Sequence, residues 1–448
     1  MIHLFRQNGF NICLDINSGT IHLPDDTAYD ILSRCGTEAD YEKLKTADKY
    51  MTGDEEYDQA YLEIDQLIGE GSLFSSIEIP DMCGDDGDVV LKAMCLHMAH
   101  TCNLRCDYCF AGDGEYSGGR KLMPFEVAKR AVDLLLSGSG ARKNVEIDFF
   151  GGEPMLNFEV VKQTVAYAQA EQDKYGKEVH FTITTNGTIL DDASCEFINE
   201  HMDNVVLSLD GRKEVNDRFR KYPGGRGSYD DILPNIKRIV EGRKGKSYFI
   251  RGTYTRENLD FAKDIRHLAS LGFTDISIEP VTGGEFEMTD NEIAAAKAEY
   301  EKFSVEYAAQ SDYNFYHFKI SLYNSPCIFK RINACGAGFE YAAVTPDGDI
   351  YACHRFAGEE RFRMGTVYED GLNRELAGMM RRNNVTTIEK CRDCWARYFC
   401  SGGCPATAYF ANGSISIPDD KACGLQKKRI ECALAVEAAR AGKGGGDE

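Results

Sequence analysis

The chain has 448 residues, 43% hydrophobic and 11% aromatic, which suits about two to four domains with buried cores and excludes wholesale disorder. Its 51 Lys and Arg stand against 72 Asp and Glu, a formal charge of −21, and that balance argues against nucleic acid or an anionic membrane surface as partner. No apolar run approaches the ~18–20 residues that span a bilayer and MIHLFRQNGF lacks the pattern of a secretory signal, so the expectation is a cytoplasmic chain whose 17 cysteines serve metal or cluster ligation rather than disulfides.

The first eighty residues look separate. "FNICLDINSGTIHLP" alternates apolar and polar residues around Asn17-Ser18-Gly19, the pattern of a β-hairpin. "DDTAYDILSRC" and "DEEYDQAYLEIDQLIGEG" follow with helical periodicity, the second closing on glycines that suit a C-cap. The acidic "PDMCGDDGD" reads as a linker near residues 80–88. Residues 89–285 then alternate strand and helix. The apolar runs "VVLKAMCLHM", "VEIDFFGG", "VHFTITTNG", "NVVLSLDG", "YFIRGTYT" and "DISIEPV" are separated by helical patterns such as "PFEVAKRAVDLLLSG". This alternation predicts βα units on a parallel sheet. Six units are too few for a closed eight-stranded barrel, so a partial (β/α)6 barrel or open sheet is expected. Residues 289–311 read as one amphipathic helix, cysteines cluster again beyond residue 326, and the tail from 437 is expected to be disordered.

The chemistry concentrates in "HTCNLRCDYCFAGDGEY", residues 100–116, where Cys102, Cys106 and Cys109 leave the first predicted strand of the core. Three thiolates at C-x3-C-x2-C can converge on one inorganic centre. Zinc asks for four ligands, whereas a [4Fe–4S] cluster held by three cysteines keeps one iron open for a cofactor. The loop falls at the carboxyl edge of the sheet, where α/β proteins bind ligands.

Here the sequence resembles the radical S-adenosylmethionine enzymes, whose cluster loop has this spacing with an aromatic before the third cysteine, here Tyr108. The resemblance implies that Cys102, Cys106 and Cys109 hold the catalytic cluster. It also implies cofactor contacts at later strand ends. These are Gly151, Gly152 and Glu153 in "GGEP", Asn186 in "TTNG", Ser208 and Asp210 in "SLDG", and Arg251 on the fifth strand. Glycines let backbone approach a ligand closely, and a carboxylate suits the methionine ammonium. Any one such short motif is usually a turn; the series behind the cysteine loop carries the reading.

A second cysteine field runs C-x12-G-x4-C, a gap, C-x2-C-x5-C-x3-C, a gap, then C. It resembles the SPASM domain, which carries two auxiliary [4Fe–4S] clusters in peptide-modifying radical enzymes; the bland alternative is a zinc knuckle on "CRDCWARYFC". The resemblance implies a distal cluster on Cys391, Cys394, Cys400 and Cys423, and a nearer one on Cys335, Cys353 and Cys404. Cys327 is a candidate fourth ligand there, an open iron for a substrate thiolate being the alternative.

The N-terminal module looks like the RiPP recognition element, a winged-helix-like domain resembling PqqD that binds a precursor's leader as an added strand. Together with the cysteine fields it looks most like the maturases of SCIFF peptides, which form thioether crosslinks in short Cys-rich precursors. The implied organisation is a recognition domain at 1–82, a radical core at 89–288, a bridging region at 289–326, a SPASM domain at 327–436 and a tail at 437–448. The implied cofactors are S-adenosylmethionine and three [4Fe–4S] clusters; the implied partners are a Cys-rich precursor peptide and a low-potential electron donor. A SPASM maturase that oxidises a residue of another protein, as in sulfatase maturation, is the alternative within enzymes. A redox-sensing zinc or cluster protein is the alternative outside them.

Overall fold

Ile2–Gln7 (β1) and Phe10–Asp15 (β2) pair antiparallel across Asn8 and Gly9. Those two residues have φ of 52° and 83°, the positive pair that a two-residue type I′ turn requires and Asn-Gly supplies. β2 turns through Asn17-Ser18-Gly19 into Ile21–His22 (β3), so the expected hairpin forms and β1 extends it. Helices α1 (Asp26–Ser33), α2 (Glu38–Ala47) and α3 (Glu55–Gly69) follow; Asp25 and Asp54 cap the first and third by accepting from backbone N–H groups. Cys13, Ile31, Leu32, Tyr41, Tyr61 and Ile64 close a small core among these elements. The computed structural model describes residues 1–47, 53–77, 89–112, 114–320 and 332–444. The linker expected near 80–88 and Cys327 lie outside them.

The chain divides into two compact units, one of residues 1–81, 290–334 and 384–448, the other of 82–289 and 335–383. The second unit contains the six expected strands: β4 (Ala93–Ala99), β6 (Asn144–Gly151), β7 (Glu178–Thr185), β8 (Asn204–Ser208), β10 (Ser247–Tyr254) and β11 (Asp275–Pro280). Two-residue strands β5 (Arg105–Cys106) and β9 (Arg220–Lys221) stand apart from that sheet. The six pair in parallel and in chain order, β4-β6-β7-β8-β10-β11. Between them run α4 (Phe125–Gly138), α5 (Phe158–Glu171), α6 (Asp192–His201), α7 (Lys213–Phe219), α8 (Tyr229–Gly242) and α9 (Ala262–Ser270). This is the α/β core expected of a (β/α)6 chain. On β6, Val145, Ile147 and Phe149 are buried, while Glu146, Asp148 and Phe150 take the alternate face by the period of a strand. Register puts Cys95 opposite Asp148, and Asp148 opposite Thr182, on that inner face.

Beyond β11, α10 (Asp290–Ala308) is the single helix expected there, and β12 (Asn314–Phe315) is a short extended piece of the first unit. The cysteine-rich region returns to the core: β13 (Tyr341–Val344) pairs in parallel with β4, and β14 (Asp349–Tyr351) and β15 (Arg363–Thr366) continue antiparallel. In the first unit the final helix spans Asp420–Gly444, which corrects the expectation of disorder from residue 437. Alanines favour helix there, Ala438 is buried, and Arg440 donates to the carbonyls of Tyr307 at 3.2 Å and Gln310 at 3.1 Å.

Candidate functional site

The cysteine loop begins where β4 ends. Arg105 caps it by donating to the carbonyls of Cys102 at 2.7 Å and Leu104 at 2.9 Å. Its β5 segment pairs antiparallel with β9, Cys106 opposite Arg220, and the Asp107 N–H donates to the Phe219 carbonyl at 3.1 Å. The Asp107 carboxylate accepts from Arg218 at 3.0 Å and Lys221 at 2.9 Å. A segment more than a hundred residues away thus clamps the loop. Two glycines make room for it. Gly151 has φ of 122°, a conformation that side chains resist. A Cβ at Gly152 would lie 2.2 Å from the Thr101 carbonyl oxygen and 3.0 Å from that of Gly114.

Cys102, Cys106 and Cys109 are electrostatic neighbours, and burial pushes the Cys102 thiol up to about 11 and the Cys106 thiol up to about 12. Such thiols are inert as free nucleophiles at neutral pH; iron would deprotonate them outright. Among the described residues, no three His, Cys, Asp or Glu side chains close on a single metal ion. A four-iron cluster asks for less, because each thiolate takes its own iron. The donor set and the glycine cradle fit such a cluster.

The strand-end motifs brace this loop. Glu153 is buried, and its carboxylate accepts from the Met155 N–H at 3.1 Å, the Thr185 hydroxyl at 2.7 Å and the Asn186 N–H at 2.8 Å. Burial raises its pKa against those bonds. The Asn186 amide donates to Asn103 Oδ1 at 2.9 Å and reaches Cys102 Sγ at 3.7 Å. Asp210, also buried, accepts from the Tyr108 hydroxyl at 2.6 Å and the Thr253 N–H at 3.0 Å. Arg220 donates to the same Tyr108 hydroxyl at 3.1 Å, and its Nε is buried without a partner. Its charge holds down Cys102, Cys106, Glu153 and Asp210 against burial. Arg220 was not among the residues expected from sequence. The Ser208 hydroxyl makes no hydrogen bond among the described residues. Arg251 lies opposite Ser208 in the sheet, and its carbonyl accepts from the Leu209 N–H at 3.1 Å.

Residues 96–268 match the radical SAM superfamily, and residues 335–395 match SPASM, an iron-sulfur cluster-binding domain. The chain therefore joins a radical SAM domain to a SPASM domain. An uncharacterised protein of Methanocaldococcus jannaschii is 32% identical to this radical SAM chain over 191 residues, covering 42% of this chain and 62% of that one, less than two thirds of that relative's length. The serine-type anaerobic sulfatase-maturating enzyme of Bacteroides thetaiotaomicron is 25% identical, covering 71% of this chain and 83% of its own. Streptococcus suis SuiB, in a structure bound to S-adenosylmethionine, shares the fold with a TM-score of 0.55 at 17% identity, covering 94% of this chain and 98% of that one.

In the SPASM region, Cys391, Cys394, Cys400 and Cys423 lie in one unit and act electrostatically on one another. Burial first, then neighbouring thiols, pushes Cys391 up to about 11 and Cys400 up to about 12. These are the four residues that the sequence resemblance assigned to a distal cluster. Cys335 and Cys353 belong to the core unit and Cys404 to the other. Cys353 is buried and neighbours Cys95, a cysteine read from sequence as packing.

Proposed function

We infer that this radical SAM/SPASM protein is a maturase that installs thioether crosslinks, cysteine sulfur to carbon, in a Cys-rich ribosomally made peptide. The observation that carries the peptide reading is the edge of the N-terminal sheet. The Asp15 N–H donates to the Thr20 carbonyl at 2.9 Å, so that pair is hydrogen-bonded. The next β3 residue, Ile21, opposite Leu14, therefore turns its own N–H and C=O outward by the alternation of antiparallel ladders. Leu23 beside it is 49% exposed. A leader peptide can add there as a fourth strand. SuiB, whose match leaves too little of this chain uncovered to omit residues 1–81, has also been solved with a precursor peptide, SuiA.

S-adenosylmethionine bound beside a reduced cluster would supply the chemistry of hydrogen-atom abstraction from a substrate carbon. The protein's part is to hold and shield. Cys102, Cys106 and Cys109 would hold the cluster; Gly151 and Gly152 leave space beside it; Ser208 offers a free hydroxyl; Arg220 offers a cation to a carboxylate. Glu153, Asn186, Tyr108 and Asp210 fix the loop that carries the thiols. Cys391, Cys394, Cys400 and Cys423 would hold a second cluster, and Cys335, Cys353 and Cys404, with Cys327 or a substrate thiolate, a third. A low-potential donor would reduce them.

The sulfatase-maturating relative favours a second reading, oxidation of a residue in another protein without a crosslink. One experiment separates them. Anaerobically reconstituted, reduced protein with a Cys-rich peptide should release 5′-deoxyadenosine and lose two mass units per crosslink, with the free thiol count falling. Ile21→Pro removes the outward N–H and should weaken leader binding while cofactor cleavage continues. Full iron content with neither product would end the crosslinking reading; mass loss with all thiols retained would favour the second.

A further inference from the structure

Residues 1–82 hold 17 Asp and Glu against five Lys and Arg, so more than half of the chain's net charge of −21 lies in less than a fifth of its length. The described cations of this stretch are already paired within it: Arg6 with Asp26 at 3.1 Å, Arg34 with Asp30 at 3.3 Å, Lys43 with Asp40 at 3.9 Å and Lys45 with Asp65 at 2.7 Å. α3 has five carboxylates and no lysine or arginine, and its last turn offers no cation to the negative end of the helix dipole. Glu56, Glu63 and the C-cap Glu70 recur every seven residues, which puts them on one face of the helix. Gln59 and Gln66 fill the same stripe, donating to Glu63 at 2.9 Å and Glu70 at 2.8 Å. Among the described residues no lysine or arginine pairs with any of the three glutamates.

Two sets of contacts fix where this stripe lies. The Thr27 hydroxyl, at the start of α1, donates to Glu56 at 2.6 Å. At the other end, His22 Nε2 lies 2.9 Å from the Ser72 carbonyl oxygen, and the Ser72 N–H donates to the Leu67 carbonyl in the last turn of α3 at 3.0 Å. The segment running from β3 into α1 is therefore tied to both ends of α3. The stripe borders the strand edge at which Ile21 turns its N–H and C=O outward. Leu23 beside that edge and Leu62 on α3 are both exposed. Outward backbone groups, apolar side chains and uncompensated acid together complement a strand of alternating apolar and cationic residues.

We propose that the peptide strand taken up at β3 is a basic one, with lysines or arginines facing Glu56, Glu63 and Glu70. This rests on the reading that a peptide adds to that edge, and it names the charge the peptide brings. Exposed ion pairs are individually weak, but three act together here. The field of the whole acidic module also draws a cationic segment toward the edge before contact. A neutral strand gains the same backbone bonds without this attraction, and an acidic one is repelled.

The test is anaerobic titration calorimetry at low salt on the full, cluster-loaded protein with three probes: Ac-Lys-Val-Lys-Leu-Lys-Val-Lys-NH2 and its counterparts with Gln or Glu at every Lys. The Lys probe should bind about tenfold tighter than the Gln probe, and the Glu probe most weakly. Added salt should erase most of that difference, because screening weakens exposed pairs. Glu63→Gln with Glu70→Gln should remove most of the Lys preference and leave the affinity of the Gln probe unchanged. Glu63→Lys with Glu70→Lys should turn the preference toward the Glu probe. Both positions are exposed, so the variants keep the fold, and circular dichroism checks this. Equal binding of the Lys and Gln probes, no binding by any probe, or a Lys preference that survives the Gln double variant overturns the proposal. Ile21→Pro separates it from the reading beneath it. If that variant abolishes the binding of Lys and Gln probes that had bound equally, the edge stands and the charge assignment falls. If the Lys preference and its dependence on Glu63 and Glu70 survive Ile21→Pro, the charge assignment stands and strand addition falls.

Discussion

Arg220 ties together two parts of the core: the cluster loop, through Cys106 and the Tyr108 hydroxyl, and the buried Asp210. Burying that charge is costly, and its neighbours compensate the cost. Removing it leaves Asp210 and Tyr108 buried without their cation. Arg220→Met should therefore destabilise the metal-free protein by about 3–5 kcal/mol in chemical denaturation and lower iron retention at the radical cluster. Arg220→Lys keeps charge but not the guanidinium fork and should fall between. Cys102→Ala should remove one cluster's iron and abolish cofactor cleavage while the SPASM iron remains; persistent cleavage would refute that assignment. Asp148 gives a prediction in pH. Burial, then Glu146, pushes its carboxyl from 3.8 up to about 8. A raised folded-state pKa means the stability it favours is complete below pH ~4 and is lost as pH rises through about 8. Wild-type stability should therefore fall across that window, while Asp148→Asn flattens the slope; equal slopes in denaturant melts would count against it. The three thiols were legible because their spacing is local. Arg220 was not, because its pairing with Cys106 is tertiary and a two-residue strand leaves no period to read.

Among elements, the six strands were legible because buried parallel strands read as short apolar runs and their turns carry glycine. What escaped was pairing that pattern does not encode. β1 lies outside the alternation around Asn17, although Asn8-Gly9 signals its turn. β13 adds to the core sheet beside β4, so a strand from the cysteine-rich region extends the α/β element that precedes it by more than two hundred residues. The GGEP turn was read as a ligand contact, yet Glu153 spends its oxygens on the chain's own donors. Its neighbour Gly152 gives the sharper test. A methyl there would meet the carbonyls of Thr101 and Gly114, both backbone, with no flexible side chain to yield. Gly152→Ala should cost about 1–3 kcal/mol through displacement of the loop, seen as a lower melting temperature together with weaker S-adenosylmethionine binding.

At the scale of the molecule, the chain's two ends share a core. Leu14 packs with Ala396, Ile430 and Leu434, and Ile12 with Ala435 and Ala438. His3 stacks on Trp395 with centroids 3.7 Å apart and its Nε2 lies 3.0 Å from Glu431. Gln7 donates to Cys432 Sγ at 3.0 Å. Composition along the chain suggested an N-terminal module joined by a linker. Nothing local could announce that its sheet is completed by a helix four hundred residues on, because the apolar faces of β2 and of Asp420–Gly444 each look like ordinary core. The consequence is thermodynamic: the N-terminal sheet and the terminal cysteine segment should unfold together. Leu14→Ala deletes packing against that helix and should cost about 2–5 kcal/mol. The loss should appear as reduced amide hydrogen-exchange protection both in β1 and β2 and in residues 425–440, with β4, β6 and β7 keeping theirs, since each unit has its own core. Protection lost in the sheet alone would mean that the two ends are separable. Coupled loss would mean that any peptide bound at β3 stabilises the segment bearing Cys391, Cys394, Cys400 and Cys423, because a ligand that binds the folded sheet stabilises everything that unfolds with it.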